Sequence, residues 1–275
     1  MQRNQNIAFI GGGNMAVALI RGLLGAANPP ASVHVVDVSQ QTLSRLESEL
    51  GVSTALQPDA TLATADVIVL AVKPQQMRDV IASIQPWLKQ QLLISVAAGI
   101  RAADMSRWLG DYPAIVRAMP NTPALVQKGI SGLFALPDVS ADQRAVAEQV
   151  VSAVGQYAWF EQEAQLDAVT AISGSGPAYV FYFIEALEQA ARDMGFTPEQ
   201  ATRFAIATFE GAASLAVHAD EPVSVLRERV TSKGGTTFAA LTAMQEAGVA
   251  ASIISGAKAA ASRARELGDE LGSQD

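Results

Sequence analysis

The chain of 275 residues contains no cysteine, only two histidines, and 19 basic against 27 acidic residues. The absence of cysteine excludes disulfides, thiolate metal ligands and cysteine nucleophiles. The net charge of −8 argues against nucleic acid and against an anionic membrane surface as partners, because both need a basic face. A phosphate-bearing ligand is not excluded, since backbone N–H groups bind phosphate without net charge.

Long hydrophobic runs are also missing. No run approaches the roughly 20 residues that cross a membrane, and the first, residues 7–10, is too short for a secretion signal. Charged residues make up only 17% of the chain and hydrophobic residues 49%. This composition predicts a large core and a surface partly buried against another copy. We therefore expect a cytoplasmic homo-oligomer of about two domains with no membrane partner.

The first half of the chain alternates short β-rich runs with helical patterns. This alternation predicts an α/β domain with a doubly wound, mostly parallel sheet of the Rossmann type. Ser39 is a candidate N-cap for the helix after the second strand. The predicted strands are residues 7–10, 33–38, 67–72, 92–96, 114–119, 132–136 and 157–160, and the main predicted helices are 15–24, the segment after Ser39, 80–88 and 141–154.

After about residue 162 the β-rich runs disappear and an alanine-rich series of helical patterns follows. The predicted domains are residues 1–162, which form the α/β domain, and residues 163–275, an all-α domain whose apolar faces predict a dimer. A monomeric helical lid is the alternative for the second domain. Its predicted helices are residues 164–172, 177–194, 198–218, 222–231, 236–246 and 249–270.

A G-x-G-x-x-A motif follows the first predicted strand directly. Gly11 permits a tight turn, Gly13 lets the backbone approach a pyrophosphate, and Ala16 lets the following helix pack closely. The pyrophosphate would lie at the helix N-terminus, where free N–H groups and the helix dipole favour an anion. The strand–turn–helix context favours a dinucleotide site over a purely structural turn.

Asp37 lies at the end of the second predicted strand. A carboxylate there can accept hydrogen bonds from the adenosine ribose hydroxyls and repels a 2′-phosphate, which favours NADH over NADPH. The alternative is a surface carboxylate near a helix start. Arg45 belongs to the following helical pattern and is not assigned to a 2′-phosphate.

Three further loops follow later strands, at the sheet edge where ligands bind in doubly wound folds. They are residues 71–74, 96–99 and 119–123. Lys73 is able to bind cofactor or substrate oxygens, or is simply solvated. The small residues around Ala97 leave room for a planar ring. Two prolines flank Asn121 and its neighbouring threonine, which predicts a stiff loop that orients a ligand.

Five motifs together strongly resemble those of the pyrroline-5-carboxylate reductase family. They are FIGGGNM at residues 9–15, AVKP at 71–74, MPNTP at 119–123, ISGSGPAY at 172–179 and VTSKGGTT at 230–237. The resemblance implies reduction of 1-pyrroline-5-carboxylate to L-proline by a hydride from NADPH or NADH, the last step of proline synthesis. It also implies a Rossmann domain and helical domains that pair into homodimers, which assemble further into a ring.

The site residues combine the loops above with what the resemblance implies. The cofactor-binding set is Gly11, Gly13, Asn14, Met15, Asp37, Ala71, Val72, Lys73, Ala97 and Asn121, the last two near the nicotinamide. The substrate-binding set implied by the resemblance is Glu163, Val230, Gly235, Thr236 and Thr237. Thr237 lies closest to the substrate nitrogen and is the candidate catalytic residue, as a hydroxyl that orients the ring or relays a proton. An ordinary helix-cap turn is the alternative for residues 231–237.

Some residues depart from the family pattern or fall outside the motifs. Lys233 stands where many members have proline, so an extra charge approaches the substrate loop.

His34 and His218 are expected to be structural or solvated, and no metal site is predicted. A protonated imine is a good hydride acceptor and needs little acid catalysis, which suits a site without histidine.

Two other functions share parts of this layout. A β-hydroxyacid dehydrogenase would need a catalytic lysine early in its helical domain, and here no lysine occurs between Lys128 and Lys233. A dinucleotide-sensing or pyridoxal-phosphate-handling module would not need the glycine-rich turn at residues 234–237.

Overall fold

The computed structural model describes residues 4–273. The chain divides into two units. The first contains the residues up to Ser175 together with those from Ala260 onward, and the second is Gly176–Ala259. All the β-strands belong to the first unit, and the second consists of helices.

The first unit is built on one sheet of eight strands in the order β3-β2-β1-β4-β5-β6-β7-β8. All neighbouring strands are parallel except β6 and β7, which are antiparallel. The strand order reverses between β1 and β4, so the crevice beyond their carboxyl ends is the usual ligand position of this fold. The strands are β1 (Asn6–Ile10), β2 (Ser32–Val36), β3 (Ser53–Ala55), β4 (Val67–Leu70), β5 (Leu92–Ser95), β6 (Ile115–Met119), β7 (Gly129–Ala135) and β8 (Gly155–Trp159).

Two hydrophobic cores cover the two faces of this sheet. Side chains alternate between faces along a strand, so Phe9 and Val69 belong to one core while Ile10 and Leu70 belong to the other. The first core packs beneath α1 (Asn14–Leu24), α2 (Gln40–Leu50) and α5 (Ala141–Ser152), and the second beneath α3 (Met77–Ile84) and α4 (Ala102–Trp108). Coverage on both faces explains why the central strand β4 is apolar at every position.

Local signals in the sequence fix where these helices begin and end. The Ser39 side chain accepts a hydrogen bond from the Thr42 N–H, which confirms it as the N-cap of α2. Ser140 forms a capping box with Gln143 at the start of α5. Pro86 falls in a short 3₁₀ turn after α3, so the predicted helix ends earlier than expected. The last helix of this part, α6 (Gln165–Val169), continues as a π-helical turn, Thr170–Gly174.

The second unit contains helices alone, as the alanine-rich pattern predicts. They are α7 (Gly176–Asp193), α8 (Pro198–His218), α9 (Val223–Arg229), α10 (Thr236–Glu246) and the first part of α11 (Val249–Gly272), whose end belongs to the first unit. The fold class is therefore confirmed. Among residues 4–273 no single helix is long and apolar enough to cross a membrane. Within the same residues, one pair of helices, α10 and α11, reaches that length and apolar composition when taken together, but the pair is bent by 52°.

The second unit has almost no core of its own. Within Gly176–Ala259 only Ala201 and Ala205 are buried, while large apolar side chains such as Phe181 (60%), Tyr182 (73%) and Phe204 (61%) are exposed. Exposed apolar surface of this kind is typical of an interface with another polypeptide.

His34 is a buried histidine in β2. Its side chain is 7% exposed, Nδ1 lies 2.9 Å from the Ser53 hydroxyl, and Nε2 lies 3.7 Å from a carboxylate oxygen of Asp59. Desolvation by burial lowers the pKa of His34 below its ordinary 6.5, and the charge of Asp59 opposes this effect only in part. The folded protein therefore keeps His34 neutral at pH values where the unfolded chain protonates it.

This burial predicts a loss of stability in acid. As the pH falls below about 6.5, the unfolded state binds more protons at this position than the folded state, so the free energy of unfolding decreases. The His34→Gln variant lacks this titration. The unfolding free energy of the unsubstituted protein, measured in urea titrations, should therefore exceed that of His34→Gln by less at about pH 5.5 than at about pH 7.5. His218→Gln, at an exposed histidine, is the control, and a pH-independent difference at His34 would contradict the prediction.

Candidate dinucleotide site and substrate turn

The glycine turn after β1 is held tightly against the end of β4. Gly11 has a φ of +99°, and a Cβ placed on it would lie 2.6 Å from the carbonyl oxygen of Ala71. Its N–H donates to the Val36 carbonyl at 2.8 Å, and the Ala71 N–H donates to the Ile10 carbonyl at 2.8 Å. Only glycine fits here, because both the left-handed backbone and the neighbouring carbonyl exclude a side chain.

Gly13 has the opposite surroundings. It is the N-cap of α1, supplies no side-chain cap, and a Cβ placed on it would have no atom within 4 Å. The intrahelical bonds begin with Val17 N–H to the Gly13 carbonyl at 2.9 Å, so the amides of Asn14 and Met15 have no helical acceptor. Open space beside free amides and the positive end of a helix suits a pyrophosphate.

Asp37 fixes the shape of this turn from the end of β2. Its Oδ2 accepts from the Gly12 N–H at 2.7 Å and its Oδ1 from the Ser39 N–H at 2.9 Å. Each carboxylate oxygen still has a lone pair for a further donor, such as a ribose hydroxyl. The next cation along the chain, Arg45, lies well inside α2.

The other predicted cofactor residues end neighbouring strands at the same edge of the sheet. Val72 lies against the glycine turn, with Cγ1 3.0 Å from the Cβ position of Gly11. Lys73 is exposed and Ala97 is buried. Asn121 is buried, and its Oδ1 accepts from the Ile130 N–H at 2.9 Å. This bond holds the loop of residues 119–123 against β7. The NH₂ group of Asn121 is left to donate to a nicotinamide.

Glu163 has partners within the first unit that the sequence did not reveal. Its Oε1 accepts from the Ala102 N–H at 2.6 Å and from Arg117 Nη1 at 3.1 Å. These bonds join residues far apart in the chain, so no local pattern signals them. The substrate contact expected for Glu163 stays a prediction.

The remaining predicted substrate residues come together at one turn of the second unit. Gly234 has a φ of +73°, Gly235 donates to the Ser232 carbonyl at 3.0 Å, and Gly235 is the N-cap of α10 without a side-chain cap. The first intrahelical bond is from Ala239 N–H to the Gly235 carbonyl. Thr236 and Thr237 therefore present free amides, as the first turn of a helix does.

The residues flanking this turn are exposed. Val230 is 68% exposed and Lys233 is exposed as well, while Thr237 is half-buried. Neither histidine lies in either turn: His34 is in β2, and His218 Nδ1 bonds the Ser214 carbonyl at the end of α8. Within residues 4–273 no group of three or more His, Asp or Glu side chains is placed to hold a metal ion.

Two alanine substitutions separate the roles of the glycines. Gly13→Ala should leave the folded structure intact, since the added methyl meets open space, but should weaken dinucleotide binding at least about tenfold by blocking the close approach of the phosphates. Gly11→Ala should weaken binding and also lower the melting temperature, because its φ and the Ala71 carbonyl forbid a side chain. Fluorescence titration with NADH and thermal unfolding measure both. Equal melting temperatures for the two variants would refute this assignment.

Two family models match the chain. Residues 163–267 match the model described as pyrroline-5-carboxylate reductase dimerisation. Residues 6–99 match the model described as NADP oxidoreductase, coenzyme F420-dependent. The second match covers the glycine turn, Asp37 and the loops after β4 and β5.

Curated relatives and solved structures agree with these matches. The chain is 43% identical to the pyrroline-5-carboxylate reductase of Pseudomonas aeruginosa, over 97% of this chain and 98% of the relative, and 39% identical to that of Vibrio alginolyticus, over 96% and 98%. A pyrroline-5-carboxylate reductase structure from Coxiella burnetii superposes with a TM-score of 0.91 at 40% identity, covering 96% and 99% of the two chains. The Plasmodium falciparum enzyme, solved with NADP bound, gives 0.86 at 27% identity over 98% and 100%. The chain belongs to the pyrroline-5-carboxylate reductase family.

Proposed function

We propose that this chain reduces 1-pyrroline-5-carboxylate to L-proline with NADPH or NADH. The observation that carries the proposal is the uncapped start of α10, where Gly235, Thr236 and Thr237 form the family's substrate motif. Free amides at a helix start suit a small carboxylate. The glycine turn at the β1–β4 crevice suits the dinucleotide that the reaction requires.

The first unit is proposed to hold the dinucleotide. The amides after Gly13 bind the pyrophosphate, Asp37 accepts from the adenosine ribose, and Val72 and Lys73 border the same crevice. Ala97 and the Asn121 NH₂ group lie beside the nicotinamide. When bound, NADPH or NADH supplies the hydride that is added to the carbon of the substrate C=N bond.

The turn at the start of α10 is proposed to hold the substrate. The Thr236 and Thr237 amides donate to its carboxylate, and Val230 borders the ring. The Thr237 hydroxyl hydrogen-bonds the ring nitrogen and orients the C=N bond. A protonated imine accepts hydride readily, so the protein acts mainly by holding two rings in the reactive geometry.

The second unit is proposed to form the homodimer interface. The family model for dimerisation matches residues 163–267, a range that includes the whole of this unit. The exposed apolar side chains of α7 and α8 support burial against a second copy. Assembly of the dimers into a ring and a cytoplasmic location remain expectations from the sequence.

Thr237→Ala tests the substrate turn. The variant should lower kcat about tenfold or more by removing the hydrogen bond to the substrate nitrogen. The free energy of unfolding should change by less than about 0.5 kcal/mol, because Thr237 is only partly buried, in the first turn of α10. Thr237→Ser keeps the hydroxyl and is the matched control. Unchanged kcat and KM in the alanine variant would remove Thr237 from the site.

A turnover assay with both cofactors tests the function and the role of Asp37. Nicotinamide absorbance should fall when the protein is mixed with 1-pyrroline-5-carboxylate and either cofactor, with a higher kcat/KM for NADH because Asp37 repels a 2′-phosphate. Asp37→Asn should lower the NADH-to-NADPH ratio of kcat/KM about tenfold, the size of one hydrogen bond to a charged group.

The matched control for this charge change is Asp138→Asn. Asp138 is exposed and follows the antiparallel strand β7, so it lies at the opposite edge of the sheet from the glycine turn. No substrate-dependent oxidation by the unsubstituted protein would overturn the proposed function. A strong preference of that protein for NADPH would overturn the role of Asp37 alone.

A further inference from the structure

The loop between β5 and α4, residues 96–101, is held on two sides by contacts distant in sequence. This loop carries Ala97, which the proposed function places beside the nicotinamide, so the inference below rests on that function. Ala97 itself is only 4% exposed, and its N–H lies 3.4 Å from the Ser95 hydroxyl. The position of this loop therefore sets how closely the nicotinamide approaches the sheet edge.

Glu163 holds the end of the loop where α4 begins. Arg101, the N-cap of α4, makes no side-chain cap bond. The cap comes instead from Glu163 Oε1, 2.6 Å from the Ala102 N–H and 61 positions away in the chain. A carboxylate there satisfies a free amide and interacts favourably with the helix dipole.

Arg117 fixes Glu163 in this position. The Arg117 side chain in β6 is 2% exposed, and its Nη1 donates to the same Glu163 oxygen at 3.1 Å. Nε and Nη2 have no hydrogen-bond partner among the described residues, and the nearest second carboxylate, that of Asp167, is 4.0 Å away. Since a buried guanidinium needs an acceptor, the single bond to Glu163 is costly to lose.

The end of α11 holds the other side of the loop. Gly99 has a φ of +81°, and its Cβ position lies 3.6 Å from Leu267 and 3.7 Å from Leu271. A Cβ placed on Gly268 would lie 3.0 Å from the Gly99 carbonyl oxygen. Arg101, the last residue of the loop, pairs with Asp269 at 2.5 Å.

We propose that Glu163 and Gly268 are positioning residues that together set the place of the nicotinamide. Glu163 acts through the Ala102 amide and Arg117, and this role replaces the substrate contact that the family resemblance implies. Gly268 acts by allowing α11 to approach the Gly99 carbonyl. Loosening either contact displaces Ala97 and lengthens the distance over which hydride must transfer, which lowers the rate steeply.

Glu163→Ala is the first test. Its control is Glu161→Ala, which removes the same charge at an exposed residue two positions away. The variant should lower kcat at least about tenfold and weaken NADH binding, measured by fluorescence without substrate. The primary isotope effect on kcat with NADH deuterated at the transferred position should rise, since hydride transfer becomes rate-limiting. The KM for 1-pyrroline-5-carboxylate should stay unchanged.

Glu163→Gln keeps an oxygen that can accept from Ala102 and Arg117, so it should recover most of the lost activity. If Glu163 instead contacted the cationic substrate directly through its charge, the result would differ. Both Glu163→Ala and Glu163→Gln would then raise the KM for 1-pyrroline-5-carboxylate and leave NADH binding normal. That result would overturn the proposal.

Gly268→Ala displaces the same loop from the side of α11 and decides the question if Glu163→Ala does not fold. It should reproduce the weaker NADH binding and the larger isotope effect, and a folded variant with neither change overturns the proposal. Failure of the proposed function would appear differently, as an unsubstituted protein that oxidises neither cofactor with 1-pyrroline-5-carboxylate.

Discussion

The contact between Gly11 and the Ala71 carbonyl is the constraint on which the candidate site depends. It brings the ends of β1 and β4 together at the point where the strand order reverses. The tight turn at Gly11 leads directly into α1, whose first amides, those of Asn14 and Met15, have no helical acceptor. A side chain at Gly11 would push the ends of β1 and β4 apart. The crevice between these two strand ends would then lose its shape.

Each of the two glycine-rich turns offers free backbone amides to an anion. At Gly13 and at Gly235 the N-cap has no side chain able to cap the helix, so the amides remain free for a ligand. In the first unit, Asp37 places a carboxylate beside the glycine turn and fixes that turn by accepting from the Gly12 amide. Because free amides bind anions without any net positive charge, an acidic protein is able to bind anionic ligands at such turns.

Local sequence signals were sufficient for the fold but not for the supports of the site. Uninterrupted apolar runs, capping serines and glycine–proline breaks predicted seven of the eight strands and the helices of the second unit. The short strand β3 and the helix α4 were missed, because three and seven residues carry too little periodicity. The bonds of Glu163 to Ala102 and Arg117 could not be predicted, since they depend on where β6 and α4 meet in space.

The nearly absent core of the second unit has a thermodynamic consequence. With only two alanines buried in Gly176–Ala259, an isolated copy gains little from hydrophobic burial to offset the entropy of ordering its helices. Folding of this unit is then linked to association by mass action, and its stability rises with protein concentration. Dilution therefore lowers the stability of the unit that carries Thr237.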